Sequence, residues 1–217
     1  MSIKFNFILF LATSLLIISS CSDDDNGTST PPNPPSLPIE QYSNLHADQE
    51  VDYTTFPPTY SGEFIKFDFG TGSTTTSETD WDIAFRGTTI LVNGGDTTGI
   101  AEEPLRTGNA AAYIYDGLFQ DLTEVDESLL RLDDMYDGLA IPTGSGNGWY
   151  NYSSMVITPI AGKVLVFRTA DGKYAKMEIL SYYKDAPAEI TNTIALSDNR
   201  YYTFNYMYQP EAGNTSF

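Results

Sequence analysis

Apolar and polar residues alternate along this chain in short runs. In "FIKFDFG" (64–70), Ile65, Phe67 and Phe69 fall on one side and Lys66 and Asp68 on the other, the period of a half-buried strand. "WDIAFR" (81–86) repeats the pattern, with Trp81, Ile83 and Phe85 against Asp82, Ala84 and Arg86. "TTILV" continues it after Gly87, which reads as a bulge, and Asn93 to Gly95 read as a turn. "AAAYIY" (110–115) and "NRYYTFNYMYQP" (199–210) are further strands. The clearest hairpin is "KVLVFR" and "YAKMEILSY" flanking "TADG", where Asp171-Gly172 supplies the left-handed backbone of a tight turn. One stretch has helical spacing: Val125, Leu129, Leu132 and Tyr136 predict a short helix over 126–135, capped by Asp126 or Thr123. The pattern predicts an all-β, single antiparallel domain over 41–217 with one short helix. Its expected core is Ile65, Phe67, Trp81, Ile83, Phe85, Val164, Val166, Met177 and Ile179, each contributing about 1.5–3 kcal/mol by burial.

The N-terminus departs from this pattern. Lys4 precedes an apolar run from Phe5 to Ile18, which ends in "ISSC" with the only cysteine of the chain. The run has signal-peptide length and is short for a membrane span. A lone cysteine makes no internal disulfide. Either this is a plain signal peptide with Cys21 a bystander, or Cys21 is lipidated; the stretch resembles a bacterial lipobox. Residues 1–20 are therefore expected to be a lipoprotein signal peptide. Residues 21–40, acidic and proline-rich, would form a tether with too little apolar bulk to order itself. Two acyl chains on Cys21 would anchor the protein in outer-membrane lipid, at about 0.8 kcal/mol per buried CH₂. Asp23 to Asp25, directly after the cysteine, resemble the export signal of surface lipoproteins of Bacteroidetes. That resemblance implies an outward-facing position on the outer membrane.

Composition narrows the function. A formal net charge of -18 argues against nucleic acid and anionic lipid as partners. The 15 Tyr and 12 Phe favour β structure. Catalysis lacks parts: His46 is the single histidine, and no metalloprotease, phosphate-loop or dinucleotide motif occurs in a suitable setting. No enzyme is expected. Asp133, Asp134 and Asp137 lack the spacing of a calcium loop and read as a solvated acidic face. The loop 142–154, "PTGSGNGWYNYSS", gathers Trp149, Tyr150 and Tyr152. These rings either meet a ligand or fold back on the sheet as a lid.

"DWDIAFRGTTILVNGG", "GKVLVFRTADGKYAKMEILSYYKD" and "YYTFNYMYQP" together resemble the HmuY family, the haem-binding surface lipoproteins of Bacteroidetes. The likeness runs from about residue 41 to the C-terminus. It implies an all-β fold with one short helix, haem held at one end between loops, and delivery to an outer-membrane haem transporter. The family's founding member ligates iron through two histidines, and some relatives use methionines. Here the loop reads "GWYNYSSM", with Asn151 near the histidine position. Tyr150, Tyr152 and Met155 are the local substitutes, Met135 is a partner from the helix region, and Trp149 is a stacking candidate. Whether iron is ligated at all stays open. The alternatives are a surface glycan-binding protein or an accessory lipoprotein with no haem ligand.

Overall fold

A computed structural model describes residues 37–217 of the protein. The expected signal peptide, Cys21 and the tether as far as residue 36 lie outside the described residues. The described strands are β1 (Glu40–His46), β2 (Glu50–Asp52), β3 (Thr59–Ser61), β4 (Ile65–Asp68), β5 (Ser73–Thr75), β6 (Ile83–Arg86), β7 (Thr89–Val92), β8 (Ala111–Asp116), β9 (Tyr150–Ser153), β10 (Val156–Pro159), β11 (Lys163–Arg168), β12 (Tyr174–Tyr183) and β13 (Asn199–Gln209). One α-helix, α1 (Asn192–Ser197), joins β12 to β13. The all-β domain with one short helix read from the sequence is what the chain forms.

All strand pairs are antiparallel. A five-stranded sheet has the order β1-β13-β12-β11-β8, and a four-stranded sheet the order β5-β4-β6-β7. Their inner faces share one core. Phe67, Ile83, Phe85 and Val92 come from the smaller sheet, and Leu165, Phe167, Met177 and Phe204 from the larger. Aromatic rings interlock across the gap, with Phe67 and Phe204 edge to face at 5.4 Å. The "TADG" turn forms as expected, with Gly172 at φ +84°. Gly87 is not a bulge. It is the first residue of a two-residue turn between β6 and β7, at φ +54°, with Arg86 paired to Thr89.

The outer faces are covered too, which the alternation did not foretell. Val164 and Val166 pack outward with Phe119, Leu122 and Val125, under a strap formed by residues 117–130. Trp81 is buried, but on the outer side of the smaller sheet with Phe64, Ala84 and Leu91, not beside Ile83 and Phe85. The chain bends at Asp82 just before β6, so the strand's alternation cannot be carried back through it. Ile65 is only partly buried, while the rest of the expected core is buried. Lys66, expected on the wet side, is buried, and its Nζ donates to the Ser77 carbonyl at 2.9 Å. Arg86 is buried as well. Its Nη1 donates to the carbonyls of Gly62 (2.9 Å) and Ala101 (2.7 Å), and its guanidinium lies 4.2 Å from the Phe64 ring centre.

The helix expected over 126–135 does not form. Only a single 3-10 turn, Glu127–Leu129, appears there, capped by Asp126. Leu129, Leu132 and Tyr136 are exposed. The segment is drawn out because its backbone is claimed elsewhere: Arg131 exchanges both backbone hydrogen bonds with Ala112 of β8. Asp133 is no part of a solvated acidic face. It is fully buried, accepts the N–H groups of Val92 and Ala140, and is ion-paired to buried Arg106 at 3.0 Å.

Candidate functional site

Two small hairpins stand outside the two sheets, β2–β3 and β9–β10. Between them lies a cleft of about 430 Å³, within the range of small-molecule sites. Its base is the end of β12, the start of β13 and Ala195 of α1. Six tyrosines line it: Tyr53 and Tyr60 from the first hairpin, Tyr150 and Tyr152 from the second, and Tyr182 and Tyr183 from β12. Met155, Gln49 and Arg200 complete its character.

The β9–β10 hairpin is tight. Ser153 pairs with Val156, leaving Ser154 and Met155 as a two-residue turn at φ +51° and +67°. Such turns ordinarily take Asn-Gly or Gly-Gly, because side chains are strained there. A methionine in this position is held against its backbone preference. Its side chain, half-exposed, faces the cleft beside half-exposed Tyr152. Strained backbone of this kind clusters at functional sites, and in this chain it is also found at Asp185-Ala186.

The other two rings of the aromatic loop take different places. Trp149 folds into the core, 2% exposed, and its indole N–H donates to the Thr88 carbonyl at 3.1 Å. Gly148 permits this, since a Cβ there would lie 2.0 Å from the Pro142 carbonyl oxygen. Trp149 packs against Tyr150 (4.8 Å), Tyr202 (5.2 Å) and Tyr182 (5.7 Å). Tyr150 is buried at the ring and its Oη accepts from the Thr88 hydroxyl at 3.3 Å. So Trp149 supports the cleft from behind, Tyr150 forms part of its wall, and Tyr152 stands free. Met135 is exposed on the 131–140 segment and does not line this cleft.

Electrostatics divide the tyrosines. Burial pushes the hydroxyls of Tyr182 and Tyr183 up, so both stay neutral. The Tyr183 Oη accepts the N–H of Ile157 at 2.8 Å, tying β12 to β10. Arg200 is the one cation among the described lining residues. Its Nη1 donates to Asp48 Oδ1 at 2.9 Å and to the Gln49 carbonyl, at the foot of the β2–β3 hairpin. The Gln49 backbone N–H, and after it the Arg200 guanidinium, help hold the Asp48 carboxyl below its ordinary range. His46 is not in the cleft; it stacks on Tyr201 at 4.2 Å. Among the described residues no cluster of three or more His, Cys, Asp or Glu could hold a metal ion. The donors that the cleft does offer are phenol oxygen and thioether sulfur, types that iron accepts.

Sequence reasoning found Tyr150, Tyr152 and Met155 but missed Tyr53, Tyr60, Tyr182 and Arg200. The first two sit in "EVDYTTFPPTYSG", where three-residue strands are too short to show a period. Its Pro-Pro turn signal was the available clue.

A second cleft, of about 500 Å³, opens at the other end of β12, lined by Asp68, Asp80, Asp82, Asp171, Lys173 and Tyr208 among others. Asp82 is buried there. Its two carboxylate oxygens accept the N–H groups of Phe69 (2.9 Å) and Ala170 (2.8 Å), one from the small-sheet side and one from the β11–β12 turn. Burial pushes its carboxyl up to about 6.

The model of the HmuY protein family matches residues 61–206. Among solved structures, an apo HmuY analog from Tannerella forsythia is similar at 15% identity and a TM-score of 0.44, over 82% of this chain and 98% of its own. A Bacteroides fragilis protein provisionally described as a lipoprotein is similar at 14% identity and a TM-score of 0.43, over 80% of this chain and 89% of its own. No curated protein matches.

Proposed function

The chain belongs to the HmuY family, and from that premise we propose that it is a surface lipoprotein that binds haem or a related tetrapyrrole in the tyrosine-lined cleft. The observation that carries this beyond family membership is the Ser154-Met155 turn, which holds a thioether at the cleft rim against backbone preference. Haem, if bound, would supply an iron that accepts oxygen and sulfur donors. Tyr152 and Met155 are the residues that would serve it. Tyr150 and Tyr182 give flat apolar wall, with Trp149 behind them. Arg200 is the cation for acidic ring substituents. Met135, outside the cleft, has no part in this proposal. The protein is read as a binder and not an enzyme.

The address belongs to the same proposal. Cys21 is lipidated, the anchor is outer-membrane lipid, the domain faces outward, and an outer-membrane haem transporter is the recipient. Labelling cells with a radioactive fatty acid should mark the wild-type protein and leave Cys21→Ala unlabelled.

The central test is a haemin titration of the soluble domain, followed in the Soret band in oxidised and reduced conditions. A saturable shift, diminished in Tyr152→Ala or Met155→Ala, is expected. A folded protein that gives no shift in either redox state would leave the accessory-lipoprotein reading in its place. One feature favours a second reading, sugar binding: Tyr152 and Tyr60 are exposed rings beside Gln49 and Asn199. Tight, tyrosine-dependent binding on a glycan array would support it.

A further inference from the structure

The β2–β3 hairpin lies almost wholly outside the family-matched residues, which begin at 61, yet it forms one wall of the cleft through Gln49, Val51, Tyr53 and Tyr60. Three residue pairs hold it together, and it joins neither large sheet. A two-stranded ribbon of that size is marginal by itself. It is fixed at its foot. Arg200 ties Asp48 and Gln49 on one side, and Arg86 donates to the Gly62 carbonyl at 2.9 Å on the other. Its tip has its own order, because the Asp52 carboxylate accepts both the N–H (2.8 Å) and the hydroxyl (2.6 Å) of Thr54. Beyond the foot it exposes aromatic surface: Tyr53 is 78% exposed, Phe56 wholly so, and Tyr60 50%. No hydrogen bond engages the hydroxyls of Tyr53 and Tyr60 among the described residues, so neither phenol is tied down by the fold.

We infer that this hairpin is a clamp, with Tyr53 and Tyr60 supplying an aromatic wall that stacks on a flat conjugated ring independently of any metal at its centre. The inference rests on the tetrapyrrole reading and sharpens it. Stacking draws on ring faces and buried area, not on a metal–ligand bond. The hairpin wall therefore recognises the porphyrin plane, while Tyr152 and Met155 across the cleft recognise its iron. The cleft then takes iron-free porphyrin as well as haem.

The test compares haemin with iron-free protoporphyrin IX on the wild-type domain and on Tyr53→Ala/Tyr60→Ala. Both tyrosines are exposed, so unfolding midpoints should match. The wild type is expected to bind both ligands, and the double variant to lose about tenfold to a hundredfold in affinity for each, from two lost stacking contacts. The Tyr53→Phe/Tyr60→Phe variant should keep wild-type affinity. A second measurement needs no substitution. Chymotrypsin should cut the free protein after Tyr53 or Tyr60, and saturating protoporphyrin should slow that cut at least severalfold. Wild-type protein that binds haemin but not iron-free porphyrin, equal affinities in the double variant, or unchanged cleavage would each overturn the clamp and leave the haem reading standing. Wild-type protein that binds neither ligand would end the haem reading itself.

Discussion

The two ends of the sandwich carry clefts of similar size and opposite chemistry. β12, ten residues long, spans the distance between them, on the order of 30 Å. At Tyr182 and Tyr183 it enters a cleft of six tyrosines, a methionine and an arginine. Before Tyr174 it leaves one lined by four aspartates. The acidic end is the slightly larger, so volume does not choose between them. What separates them is how the polar groups are employed. Asp82 binds two backbone N–H groups, Asp68 accepts the N–H of Gly70 at 2.8 Å, and Asp171 pairs with Lys173 at 2.8 Å. Those carboxylates hold turns together. At the tyrosine end, Tyr152, Tyr53 and Tyr60 hold nothing, and the turn that presents Met155 is strained. One end is spent on the fold, and at the other three tyrosine rings are left unengaged among the described residues.

The comparison can be broken most severely at its supports. Trp149→Ala should destabilise the domain by about 3–5 kcal/mol, through cavity formation and the lost indole hydrogen bond. Denaturant unfolding would show it. Asp82→Ala at the acidic end should follow at about 2–4 kcal/mol, because two buried N–H groups lose their acceptor. A near-neutral result there would mean that the acidic end is not structural.

Asp82 also predicts a pH effect. Its folded value of about 6 lies above the unfolded value of about 3.9. The folded state therefore holds the proton more tightly, and this group stabilises the fold fully below about pH 4. That contribution, on the order of 3 kcal/mol, is lost as pH rises through 6. A carboxyl-carbon NMR titration should give a midpoint near 6; a midpoint near 4 would remove the effect.

Ligand binding should separate the ends more finely. Arg200→Gln should weaken haemin binding about tenfold at low salt, while Asp171→Ala leaves it unchanged. Equal losses would show that both ends see the ligand. The smallest effect is the most particular. Met155→Gly relieves the left-handed turn and should raise stability by no more than about 1 kcal/mol, while weakening haemin binding. Gain in one measurement with loss in the other is the signature of a residue kept for its side chain.

The strands were legible because β4, β6, β11 and β12 bury alternate residues in the shared core. The face of Trp81 was not, because alternation says nothing about a bend, and the bend at Asp82 is set by a carboxylate reaching across to Ala170. The expected helix failed for a related reason: the helical spacing joined Val125, which packs on Val164 and Val166, to Leu129 and Leu132, which are exposed. In the site, an aromatic-rich loop announced itself. The separation of Trp149 into the core from Tyr152 at the rim did not, since it turns on the approach of Gly148 to Pro142. Tyr53, Tyr60 and Arg200 come together only through tertiary pairing, with Arg200 itself at φ +70°.

The β8 strand is an edge of the larger sheet, and β7 an edge of the smaller. Edges with bare backbone donors and acceptors invite another chain to add a strand. Arg131 fills the outward bonds of Ala112 on β8, and the Asp133 carboxylate occupies the N–H of Val92 on β7. The helix that the spacing predicts would have satisfied its own backbone and left both edges open to neighbouring molecules. By giving up that helix, the chain occupies one position on each of two sheet edges with a single short stretch, through the Arg131 backbone and the Asp133 carboxylate.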